Sequence, residues 1–130
     1  MKKILLSVLV LVCFLGLMGC SLKQDEDILH LGLNAEIVKI DPDNQIIYVA
    51  DSYNEEVFGD MCAIDCKAAV ANYEILYVDY DTEELFTIQF SDLNVGDKVI
   101  IGAYQSQLNQ ADGLIEVKQI QLSTQRLGKN

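Results

Sequence analysis

Residues 85–90 read Leu-Phe-Thr-Ile-Gln-Phe, which is the clearest alternation of apolar and polar side chains in the chain. In a β-strand, Phe86, Ile88 and Phe90 would point to one face and the two polar residues between them to the other. Such alternation is typical of a strand with one face on a core and the other in water. The segment therefore predicts a half-buried strand near the middle of a β domain.

Five further segments carry strand signals, and one segment carries a helix signal. The predicted strands are residues 33–40, 45–50, 73–79, 98–104 and 114–122. Asp41-Pro42-Asp43-Asn44 joins the first two as a hairpin turn, because Pro presets φ and Asp and Asn bond their own backbone. Residues 61–72 contain strong helix formers and predict one helix of two to three turns. In the last strand the apolar phase changes between Val117 and Ile120, which predicts a bulge.

This order of five or six strands and one short helix predicts a mainly β domain. Closure of the strands into a small OB-like barrel would remove exposed strand edges, which otherwise invite aggregation. An open α+β sheet is the alternative architecture. We therefore expect a small barrel and keep the open sheet as the second interpretation.

Three segments strengthen the barrel interpretation through a resemblance. Residues 85–92 (LFTIQFSD), 95–99 (VGDKV) and 115–120 (IEVKQI) resemble small exported bacterial proteins with a single OB-fold-like domain of unknown function. Many of these are lipoproteins of Gram-positive bacteria. The likeness covers roughly residues 33–122, and it implies the fold but brings no catalytic residue. These relatives usually lack a cysteine pair such as Cys62 and Cys66.

The N-terminus predicts an exported protein. After Met-Lys-Lys, residues 4–18 form an apolar run of 15 residues, whereas a membrane-spanning helix needs roughly 20. A basic start and a short apolar run are typical of a secretory signal peptide. Leu17-Met18-Gly19-Cys20 resembles the lipobox of bacterial lipoproteins. The resemblance implies cleavage between Gly19 and Cys20 and lipidation of Cys20, which would anchor the chain to the outer face of the cell membrane, or to the outer membrane of a bacterium that has one.

These features predict four regions along the chain. We expect a signal peptide over residues 1–19, the lipidated cysteine and an acidic tether over 20–31, the OB-like domain over 32–123, and a flexible tail over 124–130. All 20 acidic residues but only seven of the nine Lys and Arg follow residue 19, so the mature chain carries a formal charge of −13. Because nucleic-acid binding depends on Lys and Arg at phosphates, we expect no nucleic-acid partner.

Two cysteines remain in the domain once Cys13 leaves with the signal peptide and Cys20 is lipidated. An exported compartment permits a disulfide between Cys62 and Cys66. On a regular helix their Cβ atoms would lie roughly 5–6 Å apart, whereas a disulfide needs about 3.8 Å. A structural disulfide in a distorted helix is the first interpretation. Two unbridged thiols, or a thiol-redox or soft-metal site, are the alternatives.

Other candidate chemistry is sparse. The acidic turns at residues 41–44 and 79–84 lack the glycine and glutamate positions of an EF-hand loop, so no metal site is predicted. The only histidine, His30, falls in the predicted tether, and no Gly-rich phosphate loop is present. We therefore expect no catalytic residue and no cofactor. Six tyrosines could form a stacking platform for a sugar or peptide, although ordinary core and rim packing is the preferred explanation: Tyr48, Tyr53, Tyr73, Tyr77, Tyr80 and Tyr104.

Two functional hypotheses follow from these observations. The first is a membrane-anchored, non-enzymatic binding or accessory module for an envelope protein, a peptide or a glycan. The second is a thiol-redox or metal-handling lipoprotein that uses Cys62 and Cys66.

Overall fold

The computed structural model describes residues 27–110 and 113–127. The predicted signal peptide, Gly19 and Cys20 therefore lie outside the described residues. Within these ranges the chain forms two short helices, α1 (Lys67–Ala71) and α2 (Gln105–Leu108), and one 3-10 turn at Phe90–Asp92. The strands are β1 (Leu29–Asp41), β2 (Ile46–Asp51), β3 (Cys62–Asp65), β4 (Ile75–Asp79), β5 (Glu84–Thr87), β6 (Lys98–Tyr104), β7 (Leu114–Glu116) and β8 (Gln119–Leu122).

All eight strands belong to one mixed sheet, in the order β5-β4-β8-β6-β1-β2-β3-β7. β3 and β7 are parallel, as are β4 and β8, and the other neighbours are antiparallel. Within the described ranges no ladder joins the edge strands β5 and β7. The mainly β class is therefore confirmed, whereas the closed OB-like barrel is wrong. The sheet is open, as in the second interpretation, although its helices are shorter than an α+β fold implies.

One face of the sheet encloses the hydrophobic core. Strand residues that alternate along the chain are almost fully buried, as the period of two requires. Tyr77 of β4, near one edge, and Ile115 of β7, at the other edge, belong to the same core cluster. Because both ends of the sheet share one core, and the helices have only five and four residues, the sheet curls around the core instead of carrying a helical layer.

The helix predicted over residues 61–72 is wrong in its first half. Cys62–Asp65 forms β3, which lies between β2 and β7. Only Lys67–Ala71 is helical. Cys62, Ile64 and Cys66 alternate and are all buried, so this segment follows the period of a strand. Pairing with neighbouring strands has overridden the helical propensity of the individual residues.

The prediction of a half-buried strand over residues 85–90 is wrong, because the strand is shorter and lies exposed at the edge of the sheet. β5 ends at Thr87, and its four residues are all exposed at the edge of the sheet. The Ile88 N–H then donates to the Ile75 carbonyl at 2.9 Å, and the chain turns away. Ile88 and Phe90 consequently pack against the core from the side, half-buried, instead of continuing one face of a long strand.

The last predicted strand is two strands. β7 pairs with β3, whereas β8 pairs with β4 and β6. Between them the Lys118 N–H donates to the Gly102 carbonyl at 2.8 Å. The phase change at Val117 therefore marks a change of partner strands and not a bulge within one strand. A Cβ at Gly102 would lie 2.9 Å from Leu31 Cδ2 and 3.3 Å from Gln119 Cβ, so a larger residue there would require the exposed Leu31 side chain to shift.

The packed domain extends beyond both predicted boundaries. β1 already begins at Leu29, which pairs with Tyr104, so residues 29–31 belong to the sheet and not to the tether. At the other end Leu127 packs against the core, and its carbonyl accepts a hydrogen bond of 2.7 Å from the Tyr77 hydroxyl. Residues 124–127 are therefore part of the domain and not of a flexible tail.

Every strand pairing and every core residue that the structure describes lies between residues 27 and 127. A chain that starts at Ser21 therefore retains the complete sheet and core. Over these same ranges, no helix has the length and apolar character needed to cross a membrane.

Candidate functional site

An apolar groove of about 600 Å³ lies between the β1–β2 turn, α1 and the segment that follows β5. Ala69, Ile75 and Leu93 belong to the buried core and form its floor. Half-buried side chains from the three segments form its walls. The apolar lining residues are Ile40, Pro42, Ala69, Val70, Tyr73, Ile75, Ile88, Phe90 and Leu93, and the polar ones are Gln45, Gln89 and Ser91.

The first wall is the β1–β2 turn, and local hydrogen bonds hold its shape. The Asp41 carboxylate accepts a bond of 2.9 Å from the Asn44 amide, which holds the pKa of Asp41 below its ordinary value. Gln45 closes the turn in a left-handed conformation, with φ at 53°, a position that glycine favours. The Gln45 carbonyl accepts a bond of 2.9 Å from the Cys66 N–H, which ties the turn to the start of α1.

The second wall is the C-terminal end of α1, which closes in a Schellman motif. The Glu74 N–H donates to the Ala69 carbonyl at 2.8 Å, and the Tyr73 N–H donates to the Val70 carbonyl at 3.2 Å. This motif requires a left-handed residue after the cap, and glycine is the usual choice. Tyr73 occupies the position with φ at 56° and exposes 76% of its surface. The most exposed aromatic residue of the groove thus stands where glycine would be easier.

The third wall is the 3-10 turn after β5. The Gln89 N–H donates to Asp92 Oδ2 at 2.8 Å, and the Asp92 N–H donates back to the Gln89 carbonyl at 2.9 Å. The Asp92 carbonyl also accepts a bond from the Arg126 guanidinium. These bonds fix the turn, so that Ile88 and Phe90 face the groove as part of a rigid rim.

The chemistry of the groove suits binding without a reaction. The twelve side chains of its lining include no carboxylate, amine, imidazole or thiol. Its polar groups are the amides of Gln45 and Gln89, the phenol hydroxyl of Tyr73 and the hydroxyl of Ser91, of which the last donates to Gln89 Oε1 at 3.4 Å. Concave, mostly apolar sites with a few polar groups are the usual form of ligand-binding sites. The groove can therefore hold apolar groups and orient them through neutral hydrogen bonds.

The two domain cysteines lie apart from one another, and their thiols are free and buried. Cys62 begins β3 and Cys66 follows it, and four residues of extended chain span roughly 13 Å, whereas the Cα atoms of a disulfide lie about 4.4–6.8 Å apart. Burial raises the pKa of the Cys66 thiol to about 12 and also raises that of Cys62. The structure thus favours two unreactive thiols over a disulfide or a thiolate site.

The single histidine, His30, lies in β1 and not in a tether. Its Nε2 atom lies 2.7 Å from Gln105 Oε1. Nearby, the Ser106 hydroxyl donates to the Asp27 carboxylate. In a catalytic triad, histidine stands between the serine and the aspartate, whereas here serine bonds aspartate directly and histidine bonds glutamine. These three residues therefore close the N-terminal end of β1 onto α2 and do not form a hydrolytic site.

In the described part of the chain, the tyrosines form no single stacking platform and the acidic turns form no metal site. Tyr77 is buried, Tyr48 lies under the Lys39 amine at 4.9 Å, and only Tyr73 lines the groove. The described tyrosines therefore do not form one stacking platform. The buried Asp79 carboxylate accepts the Asp81 N–H at 2.9 Å, as in an ordinary turn. Over residues 27–110 and 113–127, no group of three His, Cys, Asp or Glu is arranged to hold a metal ion.

Comparison with known proteins identified no relative of this chain. No protein-family model matches the chain, and neither the curated proteins nor the solved structures gave a match.

Proposed function

We propose that this protein is an extracytoplasmic, lipid-anchored binding module without catalytic activity, and that its groove is the binding site. The ligand is a short segment of an envelope protein, a peptide or a glycan. Cys20 carries the lipid and Gly19 precedes the cleavage point, so the membrane is the first partner. The observation that supports the binding role best is the groove of about 600 Å³, which is of the size that small ligands occupy.

Its shape and lining also favour a binding role over a structural one. Ile88 and Phe90 are apolar, yet both remain half-buried at the groove instead of fully packed. Covering such surface with a ligand would contribute about 25 cal/mol for each Å² of apolar area removed from water. The alternative, a thiol-redox or metal-handling lipoprotein, needs an accessible thiolate, and the burial of Cys62 and Cys66 opposes one.

The anchor is tested by replacing the cysteine of the lipobox. Cys20→Ala should block maturation and abolish labelling of the chain by radioactive palmitate, because no thiol remains at the lipobox position to carry the diacylglyceryl group. Normal processing of this variant, with unchanged labelling, would contradict lipidation at Cys20.

The binding role is tested by photocrosslinking in living cells. Tyr73 is replaced by p-benzoylphenylalanine at the groove, and Tyr80 is replaced in the same way as the matched control. Both tyrosines are exposed, by 76% and 52%, but only Tyr73 lines the groove. We expect a discrete adduct from position 73 that position 80 does not give. Equal adducts from both positions, or none from position 73, would contradict the groove as the binding site.

A further inference from the structure

The groove is an open trough and not an enclosed cavity. Tyr73 exposes 76% of its surface, and Pro42 and Gln89 are also exposed on the opposite walls. An acyl chain is apolar along its whole length, so an open trough would leave one side of it in water. An extended peptide alternates its side chains between two faces and can leave its polar face exposed. The openness of the groove therefore favours a peptide over a lipid tail.

Two neutral side-chain amides line the groove, and both can bond a peptide backbone. The side-chain N–H groups of Gln45 and Gln89 donate to no other residue in the described part of the chain, so both can donate to a ligand carbonyl. They stand on two different walls of the groove. Carbonyl groups recur along a peptide backbone, whereas an acyl chain offers none beyond its head group. This arrangement again fits an extended peptide.

The charged residues around the groove determine whether it attracts a positively or a negatively charged ligand. Asp41, Asp43, Glu74 and Asp92 each stand next in sequence to a lining residue. Carboxylates outnumber the cations near the groove. Lys39 lies over the Tyr48 ring and also acts on Asp41. Lys67 donates to the Asn44 carbonyl of the first wall at 2.8 Å and is paired with Asp65 at 3.6 Å. Arg126, which contacts the Asp92 carbonyl, is paired with Asp97. An acidic rim around a neutral groove attracts cations and repels anions.

We infer that the groove binds an extended segment of a protein or peptide that combines apolar side chains with flanking Lys or Arg. This inference rests on the proposed binding function and names its ligand class. The apolar side chains enter the trough, the backbone carbonyls accept from Gln45 and Gln89, and the flanking cations face the acidic rim. Because the rim is exposed, the attraction between the two weakens as salt rises.

Selection from a displayed library of random decapeptides tests the ligand class directly. The bait is the chain from Ser21 to Asn130, which retains the whole sheet. Gln89→Arg places a cation in the groove at an exposed position, and Gln110→Arg makes the same change at an exposed position outside it. We expect enriched peptides with alternating apolar residues and an excess of Lys and Arg. Their affinity should fall at least about tenfold for Gln89→Arg and stay unchanged for Gln110→Arg.

Four outcomes would overturn the inference. Enriched peptides that are acidic, or that have no excess of Lys and Arg, would contradict the role of the rim. Equal loss of affinity in both Arg variants would place the peptides outside the groove. Absence of enrichment, with binding of a dansylated fatty acid that Gln89→Arg abolishes, would identify a lipid site and leave the binding function intact. If neither probe binds and position 73 also gives no adduct in cells, the proposed function fails together with the inference.

Discussion

Tyr73 lines the groove at a position where the local backbone structure does not require a tyrosine. It occupies the glycine position of a Schellman motif with a positive φ, and its side chain is mostly in water. A left-handed conformation costs a residue with a Cβ roughly 1–2 kcal/mol. Neither burial nor backbone preference requires a tyrosine at this position. Tyr53 has the same φ region and a similar exposure, so what distinguishes Tyr73 is its place in the lining of the groove.

Replacing Tyr73 by glycine should therefore separate stability from binding. Relief of the left-handed strain is offset by the greater freedom of glycine in the unfolded chain, roughly 0.5–1 kcal/mol. We expect Tyr73→Gly to unfold in urea within about 1 kcal/mol of the parent chain and to lose ligand binding. Tyr53→Gly is the matched control, because Tyr53 also has a positive φ and lies outside the groove. A large loss of stability in Tyr73→Gly alone would identify Tyr73 as a structural residue.

The thiols make a second prediction at the residue scale. In the chain from Ser21, purified without reductant, Cys62 and Cys66 should resist Ellman's reagent while folded and give two thiols in guanidinium. Because burial raises the pKa of Cys66 from 9.0 to about 12, its contribution to stability is present below the lower value. That contribution is lost as pH rises toward the upper value. Cys66→Ala should reduce this loss of stability at alkaline pH. In the thiol assay, an unfolded chain that gives no free thiols would show a disulfide and contradict the prediction.

Secondary-structure elements could be predicted from the sequence where the local residue pattern agrees with the strand pairing of the fold. The hairpin of β1 and β2 matches its prediction, because proline and acidic turn residues separate two β-rich segments. The helix prediction fails over β3, because Ile64, Ala68 and Ala71 fit a helical spacing of i, i+4, i+7 while Ile64 also fits the alternation of a strand with Cys62 and Cys66. In residues 85–90 the alternation is real, but the strand stops at Thr87 where the chain leaves the sheet. Alternation indicates extended chain, but it records neither how far the pairing continues nor whether the strand lies at an exposed edge, as β5 does.

The C-terminal segment offers a test at the scale of an element. Arg126 donates to the Asp97 carboxylate at 2.6 Å and 3.0 Å, and Asp97 is only 4% exposed. Arg126→Met should leave this carboxylate without its cation and lower the free energy of unfolding by about 1.5–3 kcal/mol. Lys118→Met, at an exposed position, is the control in the same urea titration. If Arg126→Met has the same free energy of unfolding as the parent chain, residues 124–127 do not stabilise the domain.

At the scale of the whole molecule, the groove could not be read from the sequence. Its walls come from residues 40–45, 69–75 and 88–93, three segments that the curled sheet brings together across long stretches of chain. Ile88 and Phe90 were predicted as core residues of a strand, and Tyr73 as the start of another. The local signals were present, but only the strand order places the three segments side by side. Residue patterns along the chain predict the β class, whereas the strand order brings together the three segments that form the groove.

Methyl NMR of the chain from Ser21, labelled at Ile and Leu and titrated with the selected decapeptides, tests the binding site most directly. We expect the methyl signals of Ile40, Ile75, Ile88 and Leu93 to shift. Core methyls away from the groove, such as those of Ile64 and Ile101, should stay in place and serve as the internal control. Shifts confined to Leu85 and Leu114, on the two edge strands, would place the ligand on an edge of the sheet and contradict the groove as the binding site.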